Sequence, residues 1–481
     1  MQKLQAEPPF ANTTLTDTEN VMEAAGNRLR QAMNDVIRSD AARGMADDVA
    51  VMFMQDPLKA EHAFRDVVHD FARSVLGDAF ERIDDHGGSL DVDGRTYRKV
   101  DATRGHAMTM FGSVDYDRAR YRPSGGGASV FPTERVLGLT ESSLTPAAAG
   151  LSLYLMANLS ARESADAWVR LCGMGPSASS LIQLTAEAGR RFEDGSGDLL
   201  ADLRSEEEVH EDATALLVSL DGVMLRMNAE TVDGTAVEAG WREASSGVVS
   251  LLDAEGNMVQ SRYFGRLPEQ GKTSLKAQVS HEVFHWLERK DDLKVVAIAD
   301  GARDNWAFLD TFSPDVVLLD IFHSIQHLKV AADAAFGPDS AEGKAWFETW
   351  RHVLRHDPKG AGKVIDALRY LLHKGKGNAD IARELGYFRA NRRRMNYSQV
   401  ADAGYPIGSG AVEAANRFLV NSRMKRSGQR WGRDGGQGVL TFRSLLRSGR
   451  FDRAWAVLAR SWQQWKPPTA ANDNLALALA A

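Results

Sequence analysis

Carboxylates at the ends of short apolar runs are the residues best suited to chemistry in this chain. Asp221 follows the run that begins at Ala213, Asp300 follows the run that begins at Leu293, and each is followed by glycine. Runs rich in Val, Ile and Leu that stop at turn residues are typical of buried strands. Sites in open α/β sheets gather at the carboxyl ends of strands, so both carboxylates could act as oxygen ligands of one divalent-cation site. Simple Asp-Gly turns would give the same pattern.

A third carboxylate, Glu413, lies behind the small-residue loop 404–410. Ser409 is suited to the N-cap of the helix that follows, and the helix dipole would stabilise Glu413 as an anion. A basic and aromatic strip comes directly afterwards; it contains Arg423, Lys425, Arg426, Arg430 and Trp431. This combination indicates a metal-assisted site that acts on a polyanion, although a capped surface helix with a solvated charge run has the same composition.

The order of these motifs resembles a known family. Asp221, Asp300, the segment Ile407-Gly-Ser-Gly-Ala-Val-Glu413 and the run Arg423-Met-Lys-Arg-Ser-Gly-Gln-Arg-Trp431 look like a DDE transposase of a bacterial insertion sequence. The similarity is to the ISKra-type group, which is related to Mutator-like transposases. Asp320-Ile-Phe-His323 also resembles the Asp/Cys-x-x-His signature of those enzymes. The resemblance covers residues 209–458 well and the preceding region only loosely.

The resemblance implies metal-dependent cleavage at transposon ends, followed by joining of the freed 3′-hydroxyl to target DNA. Two Mg²⁺ or Mn²⁺ ions, about 3.5–4 Å apart, would be held by Asp221, Asp300 and Glu413. It also implies contacts with DNA. Phosphates would be bound by Arg423, Lys425, Arg426 and Arg430, a base would stack on Trp431, and His323 would contact DNA near the metals. The expected partners are transposon-end and target DNA and further copies of the chain, at least a dimer on DNA.

The expected fold is α/β: a ribonuclease H-like catalytic core with an all-helical insertion, preceded by a mainly helical DNA-binding region. In the ribonuclease H order, three antiparallel strands are followed by a helix, a fourth strand and a further strand linked by a helix. The first and fourth strands are neighbours in this order, which would place Asp221 next to Asp300. The expected parts are an N-terminal helical region (1–90), a small β-rich segment (91–144), a helix-turn-helix-like region (145–205), the first part of the core (206–336), the insertion (337–403), the completion of the core with Glu413 and the basic strip (404–465), and a disordered tail (466–481).

Composition sets limits on the class of protein. The chain has 481 residues, 43% hydrophobic and 26% charged, which is ordinary for a globular protein with several domains. Its single cysteine excludes an intramolecular disulfide framework, and no apolar run is long enough to span a membrane, so a cytoplasmic, nucleoid-associated protein is expected. The formal net charge is −7, but residues 386–433 carry ten Lys and Arg against Asp402 and Glu413. Such segregation suits a phosphate-binding face.

Other functions remain open at this point. His281-Glu-Val-Phe-His285 fits the zinc-peptidase pattern, but no glutamate occurs between Glu288 and Glu342 to supply a third ligand. Residues 124–128, where many relatives carry zinc-knuckle cysteines, have none, so no structural zinc is expected. A ribonuclease H-like nuclease without strand transfer, and a non-catalytic DNA-binding regulator descended from a transposase, are the remaining alternatives.

Overall fold

A computed structural model of the chain describes the backbone of residues 15–463, apart from 85–86, 93, 233–234 and 377–378. The predicted disordered tail, 466–481, lies outside the described residues. The chain divides into two compact units, one formed by Met1–Leu200 with Asp452–Ala481 and the other by Ala201–Phe451. In the part of the chain that is described, no helix combines the length and apolar character needed to cross a bilayer. The finer division predicted from the sequence stays a prediction.

The first unit begins with the helices α1 (Leu15–Ile37), α2 (Asp40–Gln55) and α3 (Pro57–Ile83). The Ser39 and Asp56 side chains cap α2 and α3 by accepting hydrogen bonds from backbone amides. Residues 58–83 have the periodicity of a helix with one apolar stripe, and α3 covers them. The break before α2 was not predicted. The stripe does not face a core: Phe64, Val67, Val68, Phe71 and Val75 are 44–60% exposed.

The predicted β-rich segment is an antiparallel meander of β1 (Ser89–Val92), β2 (Arg95–Thr109) and β3 (Gly112–Pro123). Alternate side chains of β3 are buried because successive residues of a strand point to opposite faces. Phe80 of α3 packs edge-on against Tyr116, with ring centroids 5.5 Å apart. The short helix α4 (Pro132–Leu137) follows and ends at Gly138, which adopts a left-handed conformation.

The predicted helix-turn-helix region contains α5 (Pro146–Asn158), α6 (Ala161–Cys172) and α7 (Ala178–Ser205). The segment Gly173-Met-Gly-Pro-Ser177 predicts a break between two helices, and the structure confirms it. A second break precedes α6, where Ser160 and Glu163 form a capping box. The polar, acidic composition of residues 195–212 predicts a linker, which is wrong for its first part. The helix continues to Ser205, and its apolar residues Leu199 and Leu203 are buried.

Arg191 has contacts that weaken the helix-turn-helix interpretation. Its guanidinium donates a hydrogen bond to Glu141 over 2.8 Å and lies 4.4 Å from the Trp462 ring centroid. Between residues 178 and 192 of α7, the only basic residues that could bind phosphates are Arg190 and Arg191. Because Arg191 makes these contacts within the fold, its guanidinium is not available for DNA.

The second unit is built around a mixed sheet with the strand order β10-β9-β4-β7-β8. The pairs β4–β9 and β9–β10 are parallel, and the pairs β4–β7 and β7–β8 are antiparallel. The adjacency of the first and fourth strands of this sheet, predicted from the sequence, is therefore present. The strands are β4 (Ala215–Met227), β7 (Gly240–Leu252), β8 (Met258–Arg266), β9 (Lys294–Ala299) and β10 (Val316–Leu319), with the small ribbon β5 (Glu230–Val232) and β6 (Thr235–Val237) beside them in sequence.

Strand β4 does not end at Asp221, as the sequence had indicated. It continues to Met227 because β7 pairs with it antiparallel along the whole of that length. Only the parallel pairing of β4 with β9 ends near Asp221, and its last paired residues are Leu220 and Ala299.

Helices cover the sheet and form the insertion, and the predicted helical character of 337–403 is confirmed. Insertion helices α11 and α13 pack against α10. The helices of this unit are α8 (Thr273–Arg289), α9 (Arg303–Leu309), α10 (Ile321–Phe336), α11 (Ala341–His356), α12 (Gly360–Leu371), α13 (Ala379–Asn391), α14 (Tyr397–Asp402), α15 (Gly410–Ala415), α16 (Ser422–Met424) and α17 (Arg433–Arg447). The last helix, α18 (Phe451–Ala459), belongs to the first unit from Asp452 onwards.

A buried ion network holds the end of this unit to its core. Arg450 donates to both carboxylate oxygens of Glu282 over 2.9 and 2.7 Å, and to Glu207 over 2.8 and 2.6 Å. Arg262 donates a further bond of 2.9 Å to Glu207. Burial raises the pKa of the Glu207 carboxyl, but the hydrogen bonds from Arg450 and Arg262 and their charges outweigh it, so this pKa lies below its ordinary value.

We expect Arg450→Met to lower the free energy of unfolding by about 3–5 kcal/mol, because it leaves two buried carboxylates without their shared counter-charge. Urea unfolding followed by tryptophan fluorescence measures this. The difference should shrink as the pH falls through the folded pKa of Glu207, since the protonated acid needs no cation. Arg351→Met, which breaks an exposed pair with Glu348, is the control and should cost at most about 1 kcal/mol. Equal effects of the two substitutions would contradict the role given to Arg450.

Candidate functional site

Asp221 and Asp300 lie side by side at one edge of the parallel pairing. Leu220 of β4 and Ala299 of β9 are the last paired residues, and the two aspartates are the next residues on neighbouring strands. Adjacent strands are about 4.8 Å apart, so the backbones bring the two carboxylates to the same level of the sheet. Both side chains are half-buried.

Asp221 is held by its neighbours. The Gly222 amide donates to one of its oxygens over 2.7 Å, and the Asn416 side-chain amide donates to the other over 2.6 Å. Burial raises the pKa of Asp221 above its ordinary value, and the charge of Asp300 raises it further, against the lowering effects of these hydrogen bonds and of His323. Asp300 and His323 are therefore close enough to Asp221 for their charges to act on it.

Asp300 is oriented by the start of α9. Its Oδ1 accepts hydrogen bonds from the Ala302 amide over 3.1 Å and from the Asn305 side chain over 3.0 Å. Its carbonyl oxygen accepts from the indole of Trp306 over 2.6 Å. Asn305 is 1% exposed. The sequence analysis missed this residue, and only its position five residues after Asp300, in the first turn of a helix, could have indicated it.

Glu413 is carried by α15, which packs against β4 and β7. Ser409 occupies the N-cap position as predicted, but its hydroxyl does not cap the helix. It donates instead to the Glu413 carboxylate over 3.4 Å. Three residues after Glu413, Asn416 begins a π-helical turn (Asn416–Asn421) and directs its amide to Asp221. The segment that carries Glu413 therefore also supplies a hydrogen-bond donor to Asp221.

The Asp320 carboxylate ties the loop before Glu413 to the sheet edge. Asp320 is fully buried and accepts hydrogen bonds from the Ser409 amide over 2.9 Å and from the Phe322 amide over 3.3 Å. Its other oxygen lies 2.7 Å from Nδ1 of His323. Gly408 must lack a side chain here, since a Cβ would come within 2.8 Å of the Phe322 ring.

His323 is bound to Asp320 and is affected by the charges of Asp221 and Asp300, whereas the sequence associated it with DNA through resemblance alone. The hydrogen bond with Asp320 raises the pKa of His323 above its ordinary value, against the effect of partial burial. The charges of Asp320, Asp221 and Asp300 act in the same direction as the hydrogen bond. A cationic imidazole is therefore stabilised next to the carboxylates.

The possible metal ligands at this edge of the sheet suit a hard divalent cation only in part. All are oxygens, and the buried Oδ1 of Asn416 has no hydrogen-bond partner, so it is free to bind a cation next to Asp221. However, no three His, Cys, Asp or Glu side chains among the described residues lie close enough together to hold an ion. The structure thus brings Asp221 and Asp300 together but does not assemble them with the exposed Glu413.

The basic strip is only partly available to a ligand. Arg423 was expected to bind phosphate, and the structure contradicts this. Its side chain is 2% exposed, and its guanidinium lies 5.1 Å from the Trp431 ring centroid. Lys425 and Arg430 are exposed, and Arg426 is half-buried. These three remain candidates for phosphate contacts.

Trp431 is bound into the fold. Its amide donates to Arg226, its carbonyl accepts from Asn228, and its indole donates to the Met424 carbonyl over 2.8 Å. These contacts hold the half-buried indole, and base stacking by this residue stays a prediction from the sequence. Trp241, which the sequence analysis missed, is 58% exposed and lies 5.9 Å from the Lys425 ammonium.

The zinc-peptidase motif on α8 is used structurally. Glu282, which would have to act as the base, is fully buried and receives two hydrogen bonds from Arg450. His281 is exposed while His285 is half-buried, and burial lowers the pKa of His285. The carboxylate cannot act on a bound water in this arrangement.

Comparisons with known proteins leave the family of this chain open. No protein-family model matches the sequence, and no curated protein matches it. Among solved structures, the chain is similar to the Drosophila P element transposase strand transfer complex, with 12% identity and a TM-score of 0.25. The match covers 70% of this chain and 85% of that chain. A TM-score this low does not relate the two folds, so function has to be inferred from this chain's own residues.

We expect Asp320→Asn to loosen the loop 404–410, because an amide cannot accept all the hydrogen bonds that the carboxylate accepts. The cost should be about 1–3 kcal/mol locally, seen as faster hydrogen exchange at Ser409. Asp315→Asn is the matched control, since Asp315 accepts the Val295 amide at the opposite end of the same parallel pair. Unchanged exchange at Ser409 in the Asp320 variant would show that the loop is held by other contacts.

Proposed function

We propose that this chain is a metal-dependent enzyme of phosphodiester chemistry, a DDE-type transposase that cuts DNA at element ends and joins the freed ends to target DNA. The observation that carries the proposal is that Asp221 and Asp300 directly follow Leu220 and Ala299, the last paired residues of the β4–β9 parallel register. Two adjacent carboxylates with an unpaired amide oxygen beside them suit a divalent cation, which phosphoryl transfer requires.

The strand order supports the proposal. A sheet of antiparallel β4, β7 and β8, extended on the other side by parallel β9 and β10, has the order of the ribonuclease H fold. The sequence resemblance implies this fold and also a helical insertion before the last carboxylate. The helices of 337–403 occupy that place.

The residues divide into ligands and residues that position them. Asp221, Asp300 and Glu413 would hold Mg²⁺ or Mn²⁺ ions, which when bound supply an activated nucleophile and neutralise the leaving oxygen. Binding would have to draw the exposed Glu413 towards the aspartate pair, because cation charge offsets the repulsion among three carboxylates. Asp320 holds the loop from which Glu413 projects, Asn305 orients Asp300, and Lys425, Arg426 and Arg430 would bind phosphates.

A ribonuclease H-like nuclease without strand transfer is the second candidate, because the same carboxylates would serve hydrolysis. Incubation with flanking genomic DNA and Mn²⁺ separates the two, since only a transposase yields joined products. A regulator without catalysis would bind ends and need no metal.

Asp221→Asn, Asp300→Asn and Glu413→Gln should each reduce DNA cleavage by about a thousandfold or more, because a metal ion contributes several kcal/mol to phosphoryl transfer. Gel analysis of nicked and joined products in Mg²⁺ measures this, and DNA affinity should stay close to that of the wild type. Asp304→Asn, which removes an exposed carboxylate bonded to Lys276, is the control. Full cleavage by any one of the three variants would remove that residue from the site.

Replacing Lys425, Arg426 and Arg430 with alanine should weaken binding to all DNA sequences alike. The salt dependence should flatten by about one unit for each phosphate contact that is lost. Fluorescence anisotropy over a range of salt concentrations measures both quantities. Alanine at the three exposed cations Lys344, Arg351 and Arg355 of α11 is the charge-matched control. An unchanged salt slope in the triple variant would mean that the strip is only solvated.

A further inference from the structure

Helix α10 carries two imidazoles that are held in the same way. Nδ1 of His323 lies 2.7 Å from the Asp320 carboxylate, and Nδ1 of His327 lies 2.6 Å from the Glu384 carboxylate of α13. Both carboxylates are almost fully buried, with exposures of 0% and 2%, whereas the imidazoles are 33% and 36% exposed. In each case the carboxylate fixes Nδ1 and leaves Nε2 for an external partner.

The two histidines share one face of α10, because residues four apart in a helix lie one above the other. Tyr387 of α13 extends this wall towards the sheet edge. Its ring stacks on His327 with centroids 3.6 Å apart, and it lies over Gly301, where a Cβ would come within 2.8 Å of the ring. The glycine after Asp300 is therefore required for α13 to dock at this edge.

The Tyr387 hydroxyl is a buried group without a hydrogen-bond partner. Burial raises the pKa of Tyr387, and the charges of Asp300, Asp320 and Glu384 raise it further, so the hydroxyl keeps its proton. A protonated donor thus lies in the field of Asp300. The insertion brings donors to a place where the sheet itself offers only carboxylates.

We propose that His323 and His327, with Tyr387 behind them, form a phosphate-binding subsite for the nucleic-acid strand that crosses the Asp221–Asp300 edge. The inference rests on the proposed function and adds a role for the helical insertion. In its imidazolium form, a histidine that donates Nδ1–H to a carboxylate presents Nε2–H as a second, charge-assisted donor, which suits a phosphate oxygen. These donors would hold a phosphate of the strand beside the carboxylates, whose own charges repel it.

A zinc site is the rival occupant, since carboxylate-bound histidines also serve as zinc ligands. Structural zinc takes four protein ligands and catalytic zinc three. Among the described residues no group of three or more His, Cys, Asp and Glu side chains is arranged to hold a metal ion. Phosphate needs no such closed set of ligands, and the structure favours it.

The test compares His323→Gln/His327→Gln with His352→Gln/His356→Gln in the full-length protein. The control pair is also four residues apart on a helix, with rings 4.6 Å apart, and both of its histidines are exposed. Affinity for a duplex oligonucleotide is measured by anisotropy in Ca²⁺ over a range of salt concentrations. We expect the first variant to bind about tenfold more weakly with a salt slope lower by one to two units, and the control to match the wild type.

A second measurement does not depend on DNA. Inorganic phosphate is titrated into protein carrying ¹⁵N-labelled histidine, and long-range spectra report the Nε2 signals of His323 and His327. Shifts at these two residues, and not at His352 and His356, support the subsite. If the signals shift but the protein does not bind DNA, the subsite stands and only the proposed function fails. Either of two results would overturn the subsite. One is that the two double variants bind DNA equally well and the Nε2 signals of His323 and His327 do not shift. The other is one bound zinc ion per chain that is lost in His323→Gln/His327→Gln.

Discussion

The parallel pairing of β4 with β9 is the interaction on which the candidate site depends. Its register ends at Leu220 and Ala299, so the next residue on each strand is an aspartate at the same level of the sheet. Like charges at this separation repel each other, and burial adds to the cost, as the raised pKa of Asp221 shows. Hydrogen bonds from Gly222 and Asn416 offset part of that cost. Such a pair is a natural place for a cation.

Buried carboxylates elsewhere in the same unit are bound to partners within the fold. Asp320 and Glu384 each accept hydrogen bonds and orient an imidazole, whereas Glu282 is neutralised by Arg450. Each is enclosed with its donor, so its charge is satisfied within the fold. Asp221 keeps an exposed fraction and a raised pKa. This difference in surroundings separates the carboxylates that position other groups from those available to a ligand.

The helical insertion separates Asp300 from Glu413 in the sequence, and it also supplies side chains that pack beside the candidate site. Its α13 places Tyr387 over Gly301 and Glu384 against His327. The docked insertion therefore completes one wall of the site while α15 approaches from β4 and β7. A site assembled from elements this far apart in sequence depends on the packing of the whole unit.

The sequence by itself indicated most strands and helices, because apolar periodicity and turn residues are local signals. The neighbouring positions of Asp221 and Asp300 followed from the strand order expected for a ribonuclease H-like core. Tertiary structure decided the rest. It extended β4 past Asp221 through pairing with β7, and it buried Arg423 under Trp431, although a basic run reads as solvent-exposed. It also paired Glu282 of the peptidase-like motif with Arg450, which lies 168 residues away in the chain and donates hydrogen bonds to it. Burial and partners over such separations come from packing, and a pattern of residue types along the chain does not specify them.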